Sequence, residues 1–545
     1  MWLAQEVGGV EDRSLAAAHT YGLAGRLEID ALHAGLNAVL ARHEVLRTGF
    51  ALCDGDLHQV VGVPSELDLR VEETDDGHEL SARIRTFADI PFDMAQGPLL
   101  RARLFRLAAD RHVLCVVFHH IANDGWSMEI FHRELAALYG AAIDLPGVTD
   151  PIALSDLAEL DRLPFQYADF AVWQDGQAQH PETHAEALAH WRSRLAGAPP
   201  LLTLPTDRPR NDVRSSAGDR VEFDLLKPTV ERATEVASAY GTTLFTFQCA
   251  AFQALLAAWS GQSDTVIGIT TANRSLPETE SLIGFFVNVL PLRGTYRPAD
   301  AFAEFLAETA GALIEAYRHE TLPFELLLEH LATPREAGYN PLVQVTVASH
   351  QELAAPLCLP HLVVEHLEPE RHYVQEDLTL YLTTAGAGSR GYLDFRTDLF
   401  DRPTIEAFAE SFVRFIGLAA DGPDTSLGSL VEQAGLRCGR APSGPDGAGA
   451  AEPARTGDAM LSTATEHLVA EVWQDILNCR SLGADDVFFK LGGTSMAATR
   501  VANRLSERLG PGITVRVRDV FLHSRLDALA ERVDELVARA EGNGR

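Results

Sequence analysis

The sequence predicts an α/β protein in two lobes followed by a small helical bundle, and three observations carry that reading. Through residues 1–435 apolar runs of strand period alternate with stripes of helical period, the pattern of mixed layers around a core. Two prolines interrupt it in Leu204-Pro205-Thr206-Asp207-Arg208-Pro209-Arg210, which reads as a hinge between lobes. Past Leu436, residues 438–458 are dominated by Gly, Ala, Pro and Arg without an apolar face, so they read as a linker. The first lobe is placed at 1–178, the second at 179–435, the flexible linker at 436–460 and the terminal unit at 461–540.

Bulk properties narrow the function. The chain has 545 residues, 46% hydrophobic and 22% charged, enough for several cores, and holds no apolar run near the roughly 18 residues of a membrane span. Its first ten residues lack the basic start and apolar core of a signal peptide, so the cytoplasm is expected, with no membrane partner. A formal charge of −32 argues against a nucleic-acid partner, which would need clustered Lys and Arg. From Leu461 onward 11 Lys+Arg face 12 Asp+Glu, so the acid lies almost entirely in the first 460 residues and the tail is electrostatically separate. Six scattered cysteines without a Cys-x-x-Cys pair fit reduced thiols.

Taken in order, Leu32, Leu36, Val39 and Leu40 mark a helix, and Arg42-His43-Glu44-Val45-Leu46-Arg47-Thr48-Gly49-Phe50 carries it into a strand. Pro91-Phe92-Asp93-Met94-Ala95-Gln96-Gly97-Pro98 is a loop, and Leu100-Arg101-Ala102-Arg103-Leu104 alternates like a half-exposed strand. Residues 112–118 are apolar at nearly every position, as in a strand covered on both faces. Met128, Phe131, Leu135 and Leu138 then stripe a helix over 127–140, and further helices are expected near 165–174 and 182–195. In the second lobe, helices are expected at 230–240 and 243–260, with strands at 265–270, 342–348 and 378–384. In the tail, Thr463-Ala464-Thr465-Glu466 reads as a capping box before Leu468, Val469, Val472, Trp473 and Ile476, with helices at 495–509 and 524–538 completing a four-helix bundle.

Between the buried strand and the helix at 127 lies His119-His120-Ile121-Ala122-Asn123-Asp124-Gly125, in the kind of tight loop that exposes side chains to ligands. Consecutive residues of an extended segment face opposite ways, so the two histidines would hardly share an ion, and no third ligand stands at zinc-like spacing. No metal is expected. Asp124 can lock the loop through an arginine, and Gly125 permits close approach of the backbone to a substrate.

His119-His120-x-x-x-Asp124-Gly125 followed by Trp126-Ser127 resembles the HHxxxDG signature of nonribosomal peptide synthetase condensation domains, relatives of chloramphenicol acetyltransferase. The resemblance continues through the 42–48 stretch, Pro91-Phe92-Asp93, Gly97-Pro98-Leu99-Leu100-Arg101, Tyr167-Ala168-Asp169-Phe170 and Trp173-Gln174. It extends through Ile283-Gly284-Phe285-Phe286-Val287-Asn288-Val289-Leu290-Pro291-Leu292-Arg293, Leu322-Pro323-Phe324-Glu325 and Asn340-Pro341-Leu342-Val343-Gln344-Val345. The family normally has a short strand ahead of residues like Met1-Trp2-Leu3-Ala4-Gln5, so the chain is expected to begin late, and Pro334-Arg335-Glu336-Ala337 lacks the usual Ser-Arg pair while keeping Arg335. Leu491-Gly492-Gly493-Thr494-Ser495, after Phe488-Phe489-Lys490, is similar to the attachment motif of peptidyl carrier (thiolation) domains. A serine at a helix start is otherwise usually an N-cap.

The resemblance implies a V-shaped, chloramphenicol acetyltransferase-like domain with a tunnel between its lobes, and a 4'-phosphopantetheine arm on Ser495. It implies amide formation between a donor thioester on an upstream carrier and an acceptor amine, with His120 catalytic, Gly125 or its neighbour offering a backbone N–H to the oxyanion, and His119 in support. Asp124 becomes a loop anchor paired with Arg293, or with Arg47 as second choice, because a buried carboxylate demands a charged partner. Asn288 supports the second lobe. Expected partners are the donor carrier, a phosphopantetheinyl transferase, a downstream synthetase or release enzyme and a trans-acting adenylation domain, since the short linker has no room for one. Competing expectations are ester formation on a hydroxyl acceptor, an epimerase, and a non-catalytic docking platform.

Overall fold

The computed structural model describes residues 15–436 and 460–542, apart from 54–55, 76, 179, 181, 212–214, 332–337, 352–355, 368–371, 386–387, 478–481, 489–490, 492–494 and 511–512. The motif at Met1-Trp2-Leu3-Ala4-Gln5, the stretch at Arg335, the linker over 437–459 and Gly492-Gly493-Thr494 lie outside the described residues.

The first sheet has the order β11-β1-β6-β5-β4, with β1 Ala16–Gly25, β4 Arg70–Glu73, β5 Leu100–Ala108, β6 Arg111–His119 and β11 Leu362–Leu367. A separate hairpin joins β2 Thr48–Cys53 to β3 Asp56–Val61. Strand β6 is buried along its length after Arg111 because both of its faces are covered. Leu114, Val116 and Phe118 pack toward α1 Ile29–Arg42 and α3 Gly125–Asp144, while Val113, Cys115 and Val117 pack with Leu80 and Phe87 of α2 His78–Ala88. The helix expected at 127–140 is longer at both ends. Asp124 caps it by accepting the Ser127 N–H at 2.8 Å, and Ala141, Ala142 and Ile143 extend its apolar stripe past Gly140. Helices α4 Pro151–Leu157, α5 Tyr167–Ala178 and α6 Ala185–Leu195 lead out of this lobe.

The second sheet, in the order β12-β7-β14-β13-β10-β8-β9, comprises β7 Ala217–Leu225, β8 Asp264–Thr271, β9 Asn288–Thr295, β10 Val345–Gln351, β12 His372–Tyr373, β13 Leu378–Ala385 and β14 Gly388–Arg396. Its core contains the almost wholly buried α8 Leu244–Ser260 and the aromatic stripe Phe408, Phe412 and Phe415 of α11 Arg402–Asp421. Around it stand α7 Lys227–Ala239, α9 Phe302–Arg318, α10 Phe324–Leu331 and α12 Leu427–Ala434. The first sheet is completed by a strand from far down the sequence: β11 pairs antiparallel with β1 from Thr20↔Leu367 to Gly25↔Leu362. Among the described residues no single helix is long and apolar enough to cross a membrane.

The terminal unit contains α13 Ala464–Leu477, α14 Ser495–Leu509, α15 Val517–Leu522 and α16 Leu526–Gly542. Its own core holds Val469, Trp473, Phe488, Val501, Leu505, Val520, Leu529 and Val533. The expected capping box is formed: Thr463 Oγ1 accepts the Glu466 N–H at 3.0 Å and Glu466 Oε2 accepts the Thr463 N–H at 3.1 Å.

Candidate active site

Strand β6 ends at His119, and a short 3-10 turn, His120–Ala122, swings the chain into α3. The two histidines part company there. His119 stays in the sheet's packing, buried, edge-on to Phe92 at 5.7 Å, with Nδ1 accepting the Ile121 N–H at 3.1 Å. Burial holds its pKa down at about 3, so it is a neutral support for the turn. His120 is partly exposed and lies edge-on to Phe285 of the second lobe, ring centroids 5.2 Å apart.

The protonation geometry of His120 follows from one contact. Its Nδ1 is 2.7 Å from the Asn123 carbonyl oxygen, which can only accept, so Nδ1 carries the hydrogen and the neutral ring keeps its lone pair on Nε2. Burial lowers the His120 pKa from 6.5, against the opposing pull of the Asn123 carbonyl and the Asp124 charge. At neutral pH this ring is therefore a base whose Nε2 has no hydrogen-bond partner among the described residues. Gly125, exposed and first in α3, has a backbone N–H with no acceptor inside the helix.

Asp124 is the anchor, but its cation is neither of those expected. Arg274 Nη2 reaches Asp124 Oδ1 at 3.0 Å and Oδ2 at 3.2 Å, with both side chains almost completely buried. Asp124 Oδ2 also accepts the Phe286 N–H at 3.0 Å. Ser127 Oγ lies 2.7 Å from Asp124 Oδ1, accepts the Gly284 N–H at 3.0 Å and receives Arg274 Nη2 at 3.1 Å. Arg274 in turn donates to the Thr279 and Leu282 carbonyls and lies over the Phe286 ring at 4.0 Å. Tyr167 Oη donates to the Phe285 carbonyl at 2.8 Å, and Trp126 Nε1 to the Glu280 carbonyl at 3.0 Å. The His-His loop of the first lobe is thus clamped onto residues 274–286 of the second.

Arg293 instead forms a two-pronged pair with Asp264, Nη2 to Oδ2 at 2.6 Å and Nε to Oδ1 at 2.9 Å, because neighbouring strands β8 and β9 set Val266 opposite it in register. Arg47 donates to the Gly62 carbonyl and sits 3.5 Å from Glu44, in the turn that follows α1. Both assignments to Asp124 are corrected: each arginine already has a nearer carboxylate. Asn288 ties β9 to the turn before α10, donating to the Glu320 and Leu322 carbonyls at 2.7 and 2.8 Å and accepting the Phe324 N–H at 3.0 Å. Sequence reasoning passed over Arg274, Ser127 and Tyr167 as functional positions. The available signal for Arg274 was a lone cation just past a buried strand, where β8 ends at Thr271. Ser495 is the first residue of α14 in the separate helical unit.

A family model described as Condensation domain matches residues 1–434, and one described as Phosphopantetheine attachment site matches residues 467–533. Chondramide synthase cmdD of Chondromyces crocatus is 36% identical over 414 residues, 75% of this chain but 10% of that protein. Phosphinothricin tripeptide synthetase PhsC of Streptomyces viridochromogenes is 36% identical over 412 residues, 74% of this chain and 37% of that protein. The chain therefore matches only a minor part of the length of either synthetase. Among solved structures, the X-domain from teicoplanin biosynthesis aligns with a TM-score of 0.71 at 30% identity, covering 78% of this chain and 94% of that domain. SgcC5 from Streptomyces globisporus aligns with a TM-score of 0.62 at 25% identity, covering 77% of this chain and 95% of that one.

Proposed function

The chain belongs to the condensation-domain family and carries a phosphopantetheine-attachment domain behind it, and from that premise we propose that it forms an amide between a donor acyl thioester on an upstream carrier and an aminoacyl group borne on its own Ser495. The observation that carries this reading is the tautomer of His120, whose unprotonated Nε2 is fixed by the Asn123 carbonyl at Nδ1, next to Gly125 at the exposed start of the helix.

The residues divide the work as follows. An α-amine, with a reference pKa of about 7.7 to 8.0, is partly neutral near pH 7 and can attack the thioester carbon directly. As the N–C bond forms, the nitrogen's surplus proton passes to His120 Nε2 and the carbonyl becomes an oxyanion, which the backbone N–H of Gly125 or of its neighbour receives. When the C–S bond breaks, the departing thiolate takes a proton back from His120. General-base catalysis of this kind is worth about 10² to 10⁴ in rate, and alignment of the two substrates supplies much of the rest. His119, Asp124 and Arg274 touch no reacting atom and act by holding the loop.

Helix α14 suits the attachment role, because the first turn of a helix favours an anion such as a phosphodiester at Ser495. When bound, the arm supplies a thiol that carries the acceptor as a thioester. A phosphopantetheinyl transferase installs it, a separate adenylating protein loads it in trans, and a downstream synthetase or release enzyme takes the product, all in the cytoplasm. Residues 437–459 are too few for an adenylating domain.

Two other readings draw on particular relatives. SgcC5 is known in complex with an aryl ethanediol, which speaks for a hydroxyl acceptor and an ester product. The X-domain is known in complex with OxyB, which speaks for a docking platform. The intact His120 base favours catalysis over docking. The test is single-turnover product formation from a loaded donor carrier and the chain loaded on Ser495, with amine and alcohol acceptors compared. His120→Ala is expected to lower the rate at least about 10²-fold. An unchanged rate would remove His120 from the chemistry, and no product from either acceptor would leave docking.

A further inference from the structure

Away from the His120 loop, two imidazoles and a carboxylate converge where α6 meets the end of α9. His190, Glu315 and His319 each offer a donor atom, and the three atoms lie within 4.8 Å of one another. Glu315 and His319 are one helical turn apart and so share a face. Helix α6 lays the His190 ring against them, its centroid 4.4 Å from that of His319. Glu315 Oε1 receives Arg318 Nη1 at 2.6 Å, which leaves Oε2 for another cation. All three residues are half-buried, and His190 and Glu315 open on a cavity of about 510 Å³ that gives an ion a way in.

We propose that His190, Glu315 and His319 bind a zinc-class divalent transition metal that staples α6 to α9. Two imidazoles with one carboxylate are borderline ligands that select zinc, cobalt or nickel over magnesium or calcium, with water completing the shell. Bonds of about 2.0 to 2.2 Å in a tetrahedron put donor atoms roughly 3.4 Å apart, so donor separations of up to 4.8 Å need to close by at most about 1.4 Å. Four arginines stand at this site or its cavity, and each is engaged: Arg318 on Glu315, Arg194, one turn from His190, on the Arg293 carbonyl at 2.7 Å, Arg293 on Asp264 and Arg297 on Asp300.

The site is tied to the clamp around Asp124. The residues just after His319 hold Asn288 through the Glu320 and Leu322 carbonyls, and Glu320 Oε2 accepts Thr271 Oγ1 at 2.8 Å. Thr271 ends β8 and Asn288 begins β9, so these contacts fix both ends of the segment that carries Arg274 and Phe286. A metal at His319 braces that turn.

The experiment titrates the full-length, chelator-stripped protein with zinc, with cobalt as a spectroscopic probe and magnesium as the control. One equivalent of zinc, visible d–d bands with cobalt, a higher melting temperature with zinc and none of these with magnesium are expected. His190→Ala and His319→Ala should each weaken zinc binding at least about tenfold and abolish the melting shift. Glu315→Gln, close to isosteric, should also weaken binding while its metal-free melt stays near that of the parent. The chain has 20 histidines, so stoichiometric binding that survives both histidine variants would overturn the site, as would absence of stoichiometric binding in the parent. Unchanged affinity in Glu315→Gln would overturn the three-ligand set.

Discussion

Asp124 shows how much one buried carboxylate can organise. It caps α3, accepts the Phe286 N–H and holds Arg274, with both charged side chains out of solvent. Removing one member of such a pair strands the other charge, at a cost of about 3–5 kcal/mol. Asp124→Ala and Arg274→Ala should therefore each lower the stability of the condensation domain by about that amount, read by urea unfolding. The double variant should cost clearly less than the sum, because no charge is left unpaired. Strictly additive losses would mean that the two side chains do not depend on each other. The need for an arginine was legible from Asp124 alone, but which arginine was not. Partner choice depends on which strand ends the fold brings together, and Arg274 lies on the far lobe. Arg293 looked suitable only because its existing partner, Asp264 on the adjacent strand, is a tertiary fact.

At the scale of elements, periodicity carried most of the reading. The buried β6, the striped α3 and α8 and the capping box before α13 declare themselves within a few residues of their ends. Strand β11 did not, since Leu362-Val363-Val364-Glu365-His366-Leu367 is short and its polar residues sit on a sheet edge, where one neighbour suffices. Its pairing with β1 is a long-range choice that local propensity does not encode. The loop at Gly284 makes a sharper demand. A Cβ there would stand 2.2 Å from the Tyr167 ring, while Tyr167 fastens the same loop through the Phe285 carbonyl. Gly284→Ala should push α5 from the clamp and cost about 1–3 kcal/mol by overpacking, with a matching fall in condensation rate. Trimming the ring with Tyr167→Leu should recover part of the lost stability in the double variant. A Gly284→Ala protein with parental stability and rate would show that the loop gives way freely.

For the whole molecule the question is what joining the two units achieves. The terminal helices bury their own core around Trp473 and Phe488, apart from the residues that form the cores of the two lobes. Residues 437–459 join them in the sequence. A short covalent tether typically gives an effective concentration of about a millimolar. On the proposed function, two full-length variants separate the roles: Ser495→Ala would keep the His120 site but could not be loaded, and His120→Ala could be loaded but would lack the base. Mixed at about 10 μM each, with the donor supplied on its own carrier, they should restore product at about one hundredth of the parental rate, a millimolar tether having been exchanged for a micromolar encounter. The restored rate should rise in proportion to the concentration of the loaded variant. A mixture as fast as the parent at 10 μM would mean that the tether confers no advantage and that acceptors arrive from other carriers. No product at any concentration would instead confine each His120 site to the arm of its own chain.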